Sequence, residues 1–165
     1  MYALLFVFIV TFIVFPAIAF DTNLKMFRGI SNSEGWFVLF INTVFSIFDT
    51  VGRKVGGIKA FDLSYTGVRI LTIARLLFVV TFYLIAFEKL RFNSDWVIIV
   101  NMILFSFTNG YASTLCAVKA PGTVTPEDRG QVGGFIGTTI TLGILIGSII
   151  AVAETPIIKM TPGYN

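Results

Sequence analysis

The chain has 165 residues, of which 56% are hydrophobic and 13% charged, with 18 Phe, a net charge of +3, one cysteine and no histidine. Soluble domains carry about 25% charged residues, so this chain lacks the supply for a water-facing surface. Its charge forms no basic patch for nucleic acid, the lone Cys116 excludes an internal disulfide, and a zinc or haem site, or any other cofactor, is not expected.

Residues 1–20, MYALLFVFIVTFIVFPAIAF, form the first apolar span. Ala17-Ile18-Ala19 resembles a signal-peptide cleavage site, yet no positive charge precedes the apolar run, so both readings stand. Pro16 interrupts the helix near its end, which a membrane bundle tolerates when a neighbour satisfies the freed carbonyl. In the polar loop that follows, Ser31-Asn32-Ser33-Glu34 offers a helix N-cap.

The second span, near residues 35–55, centres on a helix over 36–53 that is uncharged until Asp49 and Arg53. Four residues apart, these two share one face, and Asn42 and Ser46 extend it into a polar stripe. A charge near mid-membrane costs roughly 2.5–3.5 kcal/mol, which a chain bears where the charges face a polar cavity or each other. The stripe reads as the wall of a solute path; the plainer alternative is a pair that anchors the helix at the interface.

Lys54, Lys59 and Arg69 against Asp62 make the next loop the most basic. The third span, near 68–87, is apolar except for Arg75, which either snorkels to the basic side or faces the bundle. Glu88-Lys89-Leu90-Arg91 closes it. In the fourth span, 96–118, Ser106, Asn109 and Ser113 share a face. Asn109 is the most informative of them, because a buried amide needs partners at both ends. The fifth span, 130–153, carries Gly133-x-x-x-Gly137 and Gly143-x-x-x-Gly147, a flat face suited to close helix packing. The fourth and fifth spans are uncharged and longer than the ~20 residues that cross hydrocarbon.

The expected fold is thus an all-α integral membrane protein, one domain over 1–165 with five transmembrane helices in a lipid bilayer. Lys and Arg are densest between residues 53 and 69, which places that loop, Met1 and the 119–129 loop in the cytoplasm and the C-terminus opposite. No His, Ser-Lys or paired-Asp arrangement suggests an enzyme.

Several short motifs, in order, resemble the equilibrative nucleoside transporters. They are Phe15-Pro16-Ala17, Phe48-Asp49-Thr50-Val51-Gly52-Arg53, Ala74-Arg75-Leu76, Asn109-Gly110-Tyr111 with Ser113-x-Leu115, and the Pro121…Pro126-Glu127 loop. They correspond to the last five of the eleven helices that this family builds in a major-facilitator-like fold, and match span one to a true helix rather than a signal peptide.

The resemblance implies facilitated, alternating-access passage of nucleosides. Asp49 and Arg53 match the family's substrate-engaging pair, and Ser46, Asn42 and Asn109 are the further candidate substrate-binding residues. Ser46 stands where family members can carry Asn, and Arg75 matches a structural position. The implied partners are a nucleoside and an N-terminal six-helix half, missing here or on another chain. The plasma membrane is the expected location ahead of an internal one. The alternatives are a non-transporting membrane interaction protein or a transporter relic.

Overall fold

A computed structural model describes residues 1–15, 19, 32–86 and 94–160. Among them are six α-helices in chain order: α1, Tyr2–Ile13; α2, Ser33–Gly56; α3, Tyr65–Ala74; α4, Leu76–Ala86; α5, Asp95–Lys119; and α6, Val132–Met160. Short 3-10 turns at Lys59–Phe61, Ala120–Thr123 and Pro126–Gln131 link them, and no strand occurs among the described residues. The helix ends follow from local chemistry. Ser64 caps α3 by accepting from the Gly67 N–H at 3.1 Å. Acidic Glu34 and Asp95 sit in the first turns of α2 and α5, and Arg53, Lys54 and Lys119 in the last turns, each favoured by the helix dipole.

Among the described residues, four stretches are long and apolar enough to cross a membrane: Glu34–Gly56, Tyr65–Ala86, Asp95–Thr123 and Pro126–Glu154. The expected first span, 1–20, is described only in part: α1 covers 12 of its residues, about 18 Å at 1.5 Å per residue. Pro16 and Ala17-Ile18 of the expected 1–20 span lie outside the described residues, as do the Ser31 end of the capping segment and the charged turn after the third span. That third span is also not one smooth helix. Its path tightens at Arg75, where the Phe78 N–H donates to the Arg75 carbonyl at 3.0 Å, a 3-10 step between α3 and α4. At the other end, α6 runs past Ala153 and carries Pro156 inside it.

The helices are apolar on both sides, so packing selects the inner face by shape. Phe105 of α5 sits at the centre, fully buried, with Phe78 and Phe82 edge-on at 5.6 and 5.5 Å and Phe45 at 6.3 Å. Ile41, Ile98, Met102 and Val10 complete the core around it. Leu77, Ile70, Leu145 and Val152 point outward, where lipid or another apolar helix suits them. One end of the bundle gathers the start of α1, the 57–65 connection and the 119–131 connection: the Tyr111 hydroxyl donates to the Phe61 carbonyl, and Lys119 binds Asp62. Lys54, Lys59, Arg69 and Arg129 share this end with Glu127 and Asp128, making it cationic.

Helix α5 contacts α1, α2, α3 and α4, and its tightest partner is α2. The reason is glycine. A Cβ on Gly110 would lie 1.9 Å from the Asp49 carbonyl oxygen, and one on Gly52 would lie 2.1 Å from that of Phe107, so the two backbones touch. The glycine face of α6 behaves differently along its length. Gly143 and Gly147 lie against α1, where added Cβ atoms would come within 2.7 Å of the Phe8 and Phe12 Cβ atoms. Gly133 and Gly137 meet nothing within 4 Å among the described residues, so of the expected packing face only Gly143 and Gly147 have a neighbour there. Thr139 is level with Met1, 3.9 Å from its sulfur, so the earlier residues of α6 run beyond the start of α1 and no described helix faces them.

These contacts predict opposite outcomes for one substitution at two glycines. Gly110→Ala should destabilise the detergent-purified chain by about 1–3 kcal/mol through overpacking. Gly137→Ala should be neutral or stabilising by up to ~1 kcal/mol, because alanine is the better helix former. Thermal unfolding of both variants checks this, and an unchanged midpoint for Gly110→Ala would rule out the backbone contact.

Candidate functional site

Arg75, at the step between α3 and α4, is fully buried, so of its two expected placements the inward one is observed. Burying a guanidinium in an apolar bundle is tolerable only if its donors are met, and four of the five are. Nη1 donates to the Phe105 carbonyl at 3.2 Å and to Thr108 Oγ1 at 3.0 Å. Nη2 donates to Thr11 Oγ1 at 2.8 Å and to Asn109 Oδ1 at 3.2 Å. The guanidinium carbon also lies 5.0 Å from the centre of the Phe105 ring, within cation–π range. Only Nε has no partner among the described residues.

Asn109 carries the connection onward. Its Nδ2 donates to Asp49 Oδ1 at 2.7 Å, and Asp49 Oδ2 accepts from Arg53 Nε at 2.7 Å. The result is a chain of alternating polarity: Arg75, the Asn109 amide, Asp49, Arg53. The opposite charges fix which way the amide points, since its oxygen must face the guanidinium and its NH2 group the carboxylate. Thr11 closes the group from α1. Its hydroxyl accepts from Arg75 and lies 2.6 Å from Asn109 Oδ1 and 2.7 Å from the Val7 carbonyl, so its one proton goes to either. Side chains from α1, α2, α5 and the α3–α4 step thus meet at one amide.

The sequence-derived candidates divide into an inner and an outer set. Asn109 is 2% exposed and Asp49 9%, whereas Asn42, Ser46 and Arg53 are exposed. Asp49 and Arg53 pair as helix spacing requires, and Arg53 leaves the cluster for the surface with both terminal nitrogens unbonded among the described residues. Asn42 and Ser46 continue that open face without joining the network. Ser106 and Ser113, on the Asn109 face, bond backbone carbonyls of their own helix at 2.6 and 3.1 Å. Thr11 and Thr108 were not singled out as ligands of Arg75. In the first apolar span, Thr11 is the one hydroxyl deep in the run, a signal that could have found it.

Chemically, the cluster holds two guanidinium cations against one carboxylate. The inner cation is spent on structure. At the open edge of α2 stand a guanidinium with free donors, an amide and a hydroxyl, and just behind them a carboxylate whose side chain is 12% exposed and has lone pairs to spare. That set suits a neutral polar solute bearing both hydroxyls and ring or carbonyl acceptors.

Comparison with known proteins gives a consistent picture. The nucleoside transporter family matches residues 1–154. The chain is 27% identical over 158 residues to equilibrative nucleoside transporter 1 of Homo sapiens, an alignment covering 90% of this chain and 34% of that protein. It is 31% identical over 157 residues to equilibrative nucleoside transporter 2 of Mus musculus, covering 88% and 33%. It is also 25% identical over 147 residues to equilibrative nucleotide transporter 8 of Arabidopsis thaliana, covering 89% and 36%. The chain spans about a third of the length of these curated relatives.

Removing the shared amide takes a partner from each of two charges at once. Asn109→Leu should therefore cost about 3–5 kcal/mol, the scale of breaking a buried ion pair, while Ser113→Ala, which loses only a bond to its own helix, should cost about 1 kcal/mol. Thermal unfolding in one detergent compares them. Equal midpoints would show that the amide supports nothing beyond its own packing.

Proposed function

We infer, since this chain belongs to the nucleoside transporter family, that it forms the C-terminal wall of a nucleoside carrier working by facilitated, alternating-access diffusion. The observation that carries the reading is the Asp49–Arg53 pair, held from behind by Asn109 and presented at the open edge of α2. Arg53 donates its terminal N–H groups to base carbonyl or ring acceptors, and Asp49 accepts from ribose hydroxyls with the lone pairs its two bonds leave free. Asn42 and Ser46 extend the contact along the same face. Asn109, too buried to reach a solute, is a positioning residue: it sets the carboxylate and links it to Arg75.

The second wall is an N-terminal six-helix half. Carriers of this architecture hold substrate between two halves that rock about it, and α2 offers its polar face to such a partner. The cationic end of the bundle lies in the cytoplasm by the positive-inside rule, and the plasma membrane is the proposed location. The activity is transport rather than catalysis.

Two uptake experiments test this. Labelled uridine or adenosine uptake by this chain alone should sit at background and rise when a matching six-helix half is co-expressed. Saturable uptake by the isolated chain in liposomes would overturn the two-wall requirement. In the two-half context, Asp49→Asn and Arg53→Lys should each lower uptake by at least roughly tenfold at equal surface expression, about 1.4 kcal/mol of lost interaction. The double variant Asp49→Asn, Arg53→Gln should stay inactive if each side chain engages substrate, whereas recovery would mean that the pair only neutralises itself. Normal uptake and affinity in both single variants would remove the substrate site from this helix and favour a non-transporting membrane protein.

A further inference from the structure

A second feature stands apart from the α2 edge, at the cationic end of the bundle. A groove of about 390 Å3 runs between the start of α1, the start of α3 and the end of α5. Its walls include Phe6, Val68 and Ile73, and its polar rim is Tyr65, Arg69 and Lys119. Ile73 is 63% exposed on a helix that crosses the membrane, so this side of the groove opens to lipid rather than to water. The two cations differ in what they have left to give. Lys119 holds Asp62 through both carboxylate oxygens, at 2.7 and 2.9 Å, with its ammonium 5.1 Å from the centre of the Tyr65 ring. Its charge is matched. Arg69 is exposed and has no acidic partner among the described residues, so it stands as an unmatched cation above an apolar trough.

We propose that this groove binds an anionic phospholipid, with its phosphate on Arg69 and an acyl chain along Phe6, Val68 and Ile73. Charge and shape both argue for that occupant. A soluble phosphate would use the rim and leave the trough empty, and a zwitterionic lipid would gain little from an unmatched arginine. Anionic lipids are drawn to basic pockets between helices at the cytoplasmic face. Lys119, fixed by Asp62 and Tyr65, acts as the rigid side of the rim and keeps the Asp62 carboxylate neutralised beside the headgroup.

The test uses the full chain, purified in detergent, stripped of lipid and offered equal amounts of phosphatidylglycerol and phosphatidylcholine with identical acyl chains. Retained lipid is then counted by mass spectrometry. Phosphatidylglycerol should be retained about fivefold over phosphatidylcholine, the scale of one arginine beside an anionic headgroup. Arg69→Gln should abolish the preference, and Ile73→Trp, which fills the trough from an exposed position, should lower retention of both lipids. Lys59→Gln, a cation at the same end but outside the groove, should change nothing. Free glycerol phosphate should fail to compete, since it lacks the acyl chain. Equal retention of the two lipids by the parent, an unaltered preference in Arg69→Gln, or an equal loss in Lys59→Gln would overturn the site. So would competition by glycerol phosphate, which would assign the rim to a free phosphate instead.

Discussion

The amide of Asn109 stands between a buried cation and a buried anion that never touch. Arg75 reaches its oxygen and Asp49 its nitrogen, so one neutral side chain carries the attraction between two charges on different helices. The arrangement solves a solvation problem that direct pairing would not. A guanidinium has five donors and a carboxylate four acceptor sites, and inside the bundle protein groups meet four of the Arg75 donors. Thr11, Thr108 and the Phe105 carbonyl take the donors that Asn109 cannot. Losing α1 would strip Arg75 of Thr11, and losing α5 would strip both charges of Asn109, so the polar cluster helps to specify how these otherwise apolar helices sit together.

Glycine makes that cluster geometrically possible. A side chain as short as Asn spans the gap from α5 to Asp49 only because the two backbones lie in contact at Gly52 and Gly110. Gly56 continues the contact, 3.0 Å from the Tyr111 carbonyl for an added Cβ. Dispersion and shape hold the two helices together here, since lipid removes the hydrophobic advantage that would drive them together in water. Close backbone packing and the buried network therefore depend on one another: the first brings the groups into range, and the second rewards that register over its neighbours.

Much of this was legible in the sequence, for identifiable reasons. The all-helical membrane class followed from apolar runs, and the Asp49–Arg53 pair from helix spacing alone, because both are local properties. Asn109 stood out because a buried amide demands partners, though nothing local named Asp49 and Arg75 as those partners. Arg75 itself was ambiguous, since a cation inside a span can either snorkel or turn inward, and only the fold shows that it turns inward. Thr11 was hidden by a common habit of membrane threonines, bonding to their own helix, which it also satisfies at Val7. The glycines mark a different kind of limit. Gly52-x-x-x-Gly56 has the spacing of the pairs singled out in α6, yet it lies in a stretch read for its charges. In α6 itself, only Gly143 and Gly147 find a neighbour among the described residues. Spacing identifies a face that could pack, while the length and position of the opposing helix decide whether it does.

The position of Arg75 in the chain also bears on how the bundle can assemble. Its partners on α5 lie between 30 and 34 residues further along, so the guanidinium cannot be satisfied within its own span. A bare arginine at the centre of a membrane helix costs roughly 2.5–3.5 kcal/mol, and contact with α5 offsets that cost. Burial of the third span's one internal cation and docking of the next helix are thereby a single energetic event.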